Sequence, residues 1–283
     1  MPFVTVDGVR LRWERHGSGE PVFLVGGAGT SGRAWLMHQV PALVEAGYTA
    51  YVYDSRGIPP SDECAEGFGV DDLVADLAGL IERLEPGPVR LVGTSMGAYV
   101  VQELALARPE LVRSAVLMAS RAHPDVLRAR LAMAEVELGY SEPALPAHYR
   151  ATVRAMQMLS PATLDDEEAI TDWLALLELA GPDGPGVRAQ LALQPMPDRR
   201  AAYAGVTAPC HVIAFADDLI TPPRHGRALA DSIPGAGFDL VEDAGHFGYL
   251  ERPDVVNAII LRHLAGAGGS ADTAPATTAA RRV

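Results

Sequence analysis

The chain has 283 residues, of which 48% are apolar, and a net charge of −13 at pH 7. This composition allows a large buried core, whereas a negative chain without a basic run is not expected to bind nucleic acid. Residues 1–17 carry charges where a signal peptide needs an apolar run, and no run approaches the roughly 18 apolar residues of a membrane span, so we expect a cytoplasmic protein without a membrane partner. The two cysteines lie far apart in the sequence, so we expect no metal partner.

The first predicted element is a β-hairpin. Residues 3–17 alternate in polarity on both sides of Asp7-Gly8, and such an Asp-Gly pair is the strongest short-range hairpin signal. Six apolar runs follow, and each predicts a buried strand: residues 22–25, 49–54, 89–93, 114–119, 211–216 and 238–242. Helical patterns separate most of these runs, which predicts an α/β fold with a mostly parallel central sheet flanked by helices.

The alternation of strands and helices is interrupted over residues 121–205. This stretch shows helical patterns and no strand pattern, so we expect an all-helical cap inserted into a core of residues 1–120 and 206–264. Residues 265–283 are mostly small and polar, a composition that buries too little apolar surface to fold, and we expect a disordered tail there. The sequence predicts no particular oligomeric state.

A glycine-rich loop follows the first apolar run. Residues 27–32, Gly-Ala-Gly-Thr-Ser-Gly, match the G-x-G-x-x-G pattern of a dinucleotide-binding loop, and Asp54 ends the next run, where such a site places a ribose-binding acid. This interpretation leaves the N-terminal hairpin unexplained, because the fingerprint strand usually opens its domain. A structural Asp54, paired with Arg56 or capping a turn, is favoured instead, and no cofactor is expected.

A second turn, at residues 93–97, reads Gly-Thr-Ser-Met-Gly and lies between an apolar run and a helical pattern. In that context a G-x-S-x-G turn places the serine on a strained corner at the start of a helix, with its hydroxyl pointing outward. The alternative is an ordinary turn in which Ser95 caps the helix. A reactive serine needs a base that accepts its proton, so the sequence must also supply a histidine and an acid that orients it.

Two loops after later apolar runs supply these groups. His246 follows the last run, and Asp217 and Asp218 follow the run before it. The carboxyl ends of parallel strands are where such sheets bind ligands, and the chain order Ser, Asp, His is the order found on this kind of sheet. The residues alone leave both aspartates open as the acid.

Five motifs in this order make the chain similar to α/β-hydrolase-fold enzymes with a helical cap, a superfamily of esterases and cofactor-free haloperoxidases, here of actinobacterial type. The motifs are GGAG (26–29), DSRG (54–57), GTSMG (93–97), DDLITPP (217–223) and GHFGYLERP (245–253). The resemblance covers about residues 3–264. It implies a catalytic triad of Ser95, Asp218 and His246, and it favours Asp218 over Asp217 by the spacing to the Thr-Pro turn that follows.

The resemblance also implies roles for the glycine loop and its surroundings. The backbone N–H groups of Ala28 and Met96 are the implied oxyanion hole, although Gly26 stands where the family usually has histidine. The candidate substrate-lining residues are Gly29, Phe247 and Trp173. For Arg56, in the DSRG loop, an ion pair that stabilises the fold is favoured over contact with a substrate carboxylate.

These residues predict a serine hydrolase that cleaves an ester, lactone or thioester of a small, largely apolar substrate through an acyl-enzyme, without metal or cofactor. One alternative uses the same fold and triad for perhydrolysis, C–C bond hydrolysis, cyclisation or epimerisation; another is a ligand-binding protein with little turnover. Residues 38–62 are similar to hydrolase-like proteins of actinobacterial natural-product pathways, which favours a role in secondary metabolism.

Overall fold

A computed structural model describes residues 2–64, 67–139, 145–179, 184–193 and 196–266. These residues form the strands β1 (Phe3–Val6), β2 (Val9–Gly17), β3 (Glu20–Val25), β4 (Tyr48–Tyr53), β5 (Val89–Thr94), β6 (Val112–Met118), β7 (Cys210–Phe215) and β8 (Gly237–Val241). The α-helices are α1 (Gln39–Glu45), α2 (Val70–Leu84), α3 (Met96–Ala107), α4 (Val126–Gly139), α5 (Ala147–Met158), α6 (Pro161–Leu164), α7 (Glu167–Leu179), α8 (Pro185–Leu191), α9 (Arg200–Tyr203), α10 (Pro223–Ser232), α11 (Gly248–Glu251) and α12 (Pro253–Gly266). Short 3-10 helices lie at Gly32–Leu36 and Pro109–Leu111.

All eight strands belong to one sheet, in the order β1-β2-β4-β3-β5-β6-β7-β8. β1, β2 and β4 pair antiparallel, and each pair from β4–β3 to β7–β8 is parallel. The predicted mostly parallel sheet is therefore confirmed, and each of the six apolar runs lies in or overlaps one of the strands β3 to β8. Parallel neighbours need crossover connections, which place helices over the sheet.

The predicted N-terminal hairpin is also confirmed. β1 pairs with β2 in a register that places Val6 opposite Val9, so Asp7 and Gly8 form a two-residue turn. Their φ angles are 45° and 84°, and a type I′ turn requires a positive φ at both positions. The hairpin adds an antiparallel edge to the parallel sheet and brings β2 alongside β4.

An apolar core covers each face of the sheet. Phe23 and Val25 of β3 cluster with side chains of α2, α3 and α10, whereas Val22 and Leu24 cluster with side chains of α1 and α12. Because successive strand residues point to opposite faces, a continuous apolar run is what a strand buried on both sides needs. This core fixes the carboxyl ends of β5, β7 and β8, from which the candidate site is built.

Between β6 and β7 the described residues form helices α4 to α9 and no strand. In this insertion α5 packs against α7, and α4 packs against α8. The arrangement agrees with the helical segment expected at residues 121–205, whose role as a separate cap remains a prediction. None of the helices in the described ranges combines the length and apolar character needed to cross a membrane.

The last helix, α12, continues to Gly266, so its last two residues fall within the predicted disordered tail. The helix extends this far because Leu264 is fully buried against the core and its carbonyl accepts hydrogen bonds from the Arg90 guanidinium. The rest of the predicted tail, residues 267–283, lies outside the described residues.

Asp54, at the end of β4, holds the glycine-rich loop against the sheet. Its carboxylate is fully buried. Oδ1 accepts hydrogen bonds from the Ser31 hydroxyl at 2.7 Å and the Gly32 N–H at 2.8 Å. Oδ2 accepts one from Nη1 of Arg12 at 3.0 Å. An acid that is buried and bonded in this way is a structural residue, which argues against the ribose-binding alternative.

The predicted pairing of Asp54 with Arg56 is wrong, although the expectation of an ion pair for Arg56 holds. The Arg56 guanidinium turns to Asp76 of α2 and donates two hydrogen bonds to its carboxylate, at 2.6 and 2.7 Å. Arg56 is 8% exposed, and this two-pronged geometry suits a guanidinium and a carboxylate. The partner of Asp54 is instead Arg12, which the hairpin places beside β4.

Candidate active site

Ser95 lies on the sharp turn between β5 and α3. Its φ and ψ angles are 53° and −120°, a conformation that L residues rarely adopt. A Cβ atom at Gly97 would collide with the Val25 carbonyl oxygen, and one at Gly93 would lie 2.7 Å from Cα of Ala98. Both glycines are therefore required by the closeness of the backbone around the turn. The Ser95 side chain makes no hydrogen bond that caps α3, which argues against the helix-cap alternative.

The Ser95 hydroxyl meets side chains from two other loops. His246 Nε2 lies 3.0 Å from Ser95 Oγ, and His246 Nδ1 lies 2.8 Å from Asp218 Oδ2. His246 and Asp218 are 5% and 2% exposed. Because an ionised carboxylate only accepts hydrogen bonds, Nδ1 donates to Asp218 and Nε2 is left to accept the serine proton. This arrangement can take a proton from the hydroxyl as its oxygen attacks a carbonyl carbon.

The Asp218 carboxylate is held in its charged form by its own loop. Oδ1 accepts the backbone N–H groups of Ile220 and Thr221, both at 2.8 Å, and Oδ2 lies 2.8 Å from the Thr221 hydroxyl. Burial raises the pKa of Asp218, but the charge and hydrogen bond of His246 and the bonds from Thr221 outweigh it, so the pKa lies below its ordinary value. Asp217 is half-buried, and the carboxylate bonded to His246 is that of Asp218.

The loop after β8, which carries the histidine, is fixed by Glu251, a residue that sequence reasoning missed. Glu251 Oε2 accepts the N–H of Gly245 at 2.7 Å, and Oε1 accepts the N–H and the hydroxyl of Ser160, both at 2.8 Å. The N–H of Phe247 donates to the Met158 carbonyl at 3.0 Å. Met158 and Ser160 belong to the insertion, so one glutamate joins the insertion to the histidine loop.

The glycine-rich loop after β3 lies beside the nucleophilic turn. A Cβ atom at Gly27 would be only 3.3 Å from Cβ of Ser95. Ala28 and Ser95 line the same spaces above the turn, and Met96 begins α3 directly after Ser95. The two residues predicted to supply the oxyanion hole therefore lie in the backbone segments that flank the hydroxyl.

The three predicted substrate-lining residues have different surroundings. Phe247 lines the space above Ser95. Trp173 lies behind it, with the two rings stacked at a centroid distance of 6.0 Å and an interplanar angle of 16°. Gly29 turns its N–H away to the side-chain oxygen of Gln190, at 2.9 Å. Of the three, Phe247 is the residue that lines the space beside the serine, because the packing of the insertion decides which side chain reaches it.

Two small spaces adjoin Ser95. They measure about 30 and 40 Å³, room for a few water molecules each. Both are lined by Ala28, Ser95, Arg128 and Leu191. The first also contacts His246 and Phe247, and the second also contacts Met96 and Arg121, so the two spaces lie on different sides of the hydroxyl.

Sequence reasoning also missed the charged residues in this lining. Arg128 and Glu135, seven residues apart on α4, have Nη1 and Oε2 atoms 3.4 Å apart, and Arg154 Nη1 lies 3.8 Å from Glu135 Oε1. Arg121, just after β6, is 6% exposed. The spacing of seven places residues 128 and 135 on one helix face, but a sequence does not tell whether such a face meets solvent or a cavity.

The sequence model of the alpha/beta hydrolase family matches residues 22–259. The chain belongs to the alpha/beta hydrolase family. A family relative from Mycobacterium tuberculosis H37Rv, named non-heme bromoperoxidase BpoC, is 44% identical over 91% of this chain and 98% of its own. The BpoC crystal structure matches with a TM-score of 0.87, covering 91% of this chain and 96% of that one.

Two further alpha/beta hydrolase relatives carry other names. The carbamate hydrolase RutD of Stutzerimonas stutzeri is 29% identical, over 90% of this chain and 97% of its own. The rhodomycin D methylesterase DnrP of Streptomyces peucetius is 29% identical, over 92% of this chain and 96% of its own. The predicted fold and the assignment to hydrolase-family enzymes are thus confirmed, while the reaction has to be argued from the site.

Proposed function

We propose that this protein is a serine hydrolase that cleaves a carboxylic ester, lactone or thioester through an acyl-enzyme intermediate. The observation that carries the proposal is the line of contacts from the Ser95 hydroxyl through His246 to Asp218, at 3.0 and 2.8 Å. These three side chains come from loops after β5, β8 and β7, so their meeting is a property of the fold rather than of one motif. The likeness to a rhodomycin D methylesterase supports an ester as the bond that is cleaved.

In the first half-reaction, His246 accepts the Ser95 proton while Oγ bonds to the carbonyl carbon of the substrate. Asp218 stabilises the imidazolium. The substrate oxygen becomes negative and accepts hydrogen bonds from the N–H groups of Ala28 and Met96; one such donor lowers the barrier by about 3 kcal/mol. His246 then returns its proton to the leaving alcohol or thiol, and the acyl group stays on Ser95.

In the second half-reaction, water takes the place of the alcohol. His246 removes a proton from this water as its oxygen attacks the acyl carbon, and the second tetrahedral intermediate forms against the same two N–H groups. The C–O bond to Ser95 breaks, Oγ recovers its proton from the imidazolium, and the acid leaves. The net reaction consumes one ester and one water and releases one acid and one alcohol.

One part of the wall of the site suits the apolar body of a small substrate. Beside the charged residues described above, the first space is lined by apolar side chains that include those of Met158, Leu191, Ile220 and Phe247. They keep bulk water away from the reacting atoms, which strengthens the electrostatic contacts of the transition state. A role in secondary metabolism is part of this proposal and rests on the sequence similarity of residues 38–62.

A fluorophosphonate probe tests the proposed nucleophile. We expect one adduct per chain, on the peptide that contains Ser95, because only a serine activated by a base attacks the phosphorus. Ser120 is the internal control: it also lines the second space, but its hydroxyl donates to the Gln102 side chain at 2.6 Å. Mass spectrometry locates the adduct, and ester hydrolysis should fall in proportion to labelling. An adduct on another serine, or full activity after complete labelling, would contradict the proposal.

Perhydrolysis is a second candidate reaction, favoured by the 44% identity to a protein named as a non-heme bromoperoxidase. In it, a hydrogen peroxide oxygen attacks the acyl carbon, its proton passes through His246 to the departing Ser95 oxygen, and the product is a peracid. In acetate buffer with peroxide and bromide, we expect Ser95-dependent bromination to be slower than hydrolysis of an activated ester. Bromination that is faster, and that is lost in Ser95→Ala, would make perhydrolysis the principal reaction.

A further inference from the structure

Two arginine side chains line the space on the Met96 side of Ser95. Arg121 is 6% exposed, and the Arg128 side chain is 14% exposed. The other described residues in this wall carry no charge: Ala28, Ser95, Met96, Tyr99, Ala119, Ser120, Gln190, Leu191, Met196 and Thr221. A space of about 40 Å³ beside the hydroxyl is therefore bordered by two guanidinium groups.

The electrostatic surroundings of Arg121 include charges of both signs, those of Arg128 and Asp125. Burial and the charge of Arg128 lower the pKa of Arg121 to about 10. Arg121 Nε lies 3.3 Å from the Met196 sulfur, an acceptor without charge. Glu135, the carboxylate beside Arg128, also faces Arg154. The described wall of the second space thus carries two guanidinium groups and no carboxylate, and an anion placed beside both of them would gain charge-assisted hydrogen bonds.

The two spaces correspond to the two halves of the substrate. His246 gives its proton to the leaving group, so the leaving group must lie within reach of the imidazole. His246 lines the first space and is not among the residues that line the second. The leaving group therefore occupies the first space, and the acyl group extends from the carbonyl carbon into the second space, toward the two arginines.

Building on the proposed function, we propose that the acyl group carries a free carboxylate that binds between Arg121 and Arg128, so that the substrate is a monoester or monothioester of a short dicarboxylic acid. Guanidinium groups bind carboxylates through paired N–H donors in a fixed geometry, which selects for position as well as charge. The chain as a whole carries a charge of −13 and repels anions at long range. A local pair of arginines is what lets such a protein hold an anionic substrate.

A matched pair of esters tests this inference. 4-Nitrophenyl hydrogen glutarate and 4-nitrophenyl pentanoate have acyl chains of the same length and differ in the terminal carboxylate. The measured quantity is the ratio of kcat/KM for the charged ester to that for the neutral ester, with spontaneous hydrolysis subtracted. We expect Arg128→Gln and Arg121→Gln each to lower the ratio by about 10- to 100-fold, the range for hydrogen bonds to a charged group.

Two variants of α4 control for charge and for folding. Arg130 lies on the same helix two residues away and is exposed, so Arg130→Gln should leave the ratio within twofold of the wild-type value. Arg128→Lys keeps the charge but loses the paired donors, and it should retain part of the preference. Because the Arg128 side chain is partly exposed, its variants test the proposal even where an Arg121 variant fails to fold.

Two further results separate this inference from the proposed function. Calorimetry measures the binding of free glutarate to the arginine pair without any turnover. Binding to wild type that weakens at least tenfold in Arg128→Gln supports the carboxylate site. Hydrolysis of the pentanoate ester that depends on Ser95, combined with an unchanged ratio in Arg128→Gln and Arg121→Gln, would overturn the carboxylate site and leave the hydrolase proposal standing. An equal fall of the ratio in Arg130→Gln would also overturn it.

Discussion

Ser95→Ala is expected to lower kcat for an activated ester by about a millionfold, to the level left by binding and the oxyanion donors alone. Among the described residues, no other hydroxyl lies 3.0 Å from His246 Nε2, so the imidazole cannot activate a second nucleophile. The measurement is steady-state hydrolysis of a 4-nitrophenyl ester by wild type and variant at the same pH.

Ser232→Ala is a suitable control for the serine variant. Ser232 is half-buried at the end of α10, and its hydroxyl donates to a backbone carbonyl of the same helix. We expect this variant to match wild-type kcat and KM. Circular dichroism of Ser95→Ala should also match wild type, because the hydroxyl makes no capping bond to α3. A Ser95→Ala enzyme that retains more than a hundredth of the activity would rule out acyl transfer through this side chain.

Asp218→Asn is expected to lower kcat by about ten-thousandfold, although the side chain keeps its size and can still form hydrogen bonds. An amide can turn its N–H₂ toward His246 Nδ1, which then accepts, and the ring proton moves to Nε2 where the serine proton has to go. The amide also fails to stabilise the imidazolium. Single-turnover kinetics should place the loss in acylation and deacylation alike, since His246 acts as base in both.

Asp217→Asn tests whether activity depends on any negative charge at the end of β7 or on the carboxylate that contacts His246. Asp217 is adjacent in sequence and half-buried, yet the contact with His246 belongs to Asp218. We expect the Asp217 variant to stay within a few-fold of wild-type kcat. If it lost activity as severely as Asp218→Asn, the distinction between the two aspartates would be wrong.

Much of the fold was predictable because local patterns specify it. The alternating segments around Asp7-Gly8 predict the hairpin, and apolar runs with intervening helical patterns predict a parallel sheet buried on both faces. The loops that carry Ser95, Asp218 and His246 follow from the same pattern, because each lies directly after a recognisable strand. These signals need only a few neighbouring residues, so a single sequence contains them.

The contacts that sequence reasoning missed join distant segments. Asp54 pairs with Arg12 across 42 residues rather than with nearby Arg56. The arginines that line the site come from the loop after β6, from α4 and from α5, and their direction depends on how the insertion folds over the sheet. Helical charge patterns look the same on a solvent face and on a cavity wall, so the polarity of the site follows only from the tertiary packing.

The hydrogen bonds of Glu251 mean that the insertion is not an exchangeable lid. Residues Met158–Ser160 of the insertion are joined by hydrogen bonds to the segment that positions the imidazole of His246. A chimera in which this region comes from a relative keeps His246 in position only if the new region forms equivalent hydrogen bonds to the histidine loop. Evolution of new substrate preference in this chain is therefore easier through side chains on α4 and α8 than through wholesale replacement of the helices.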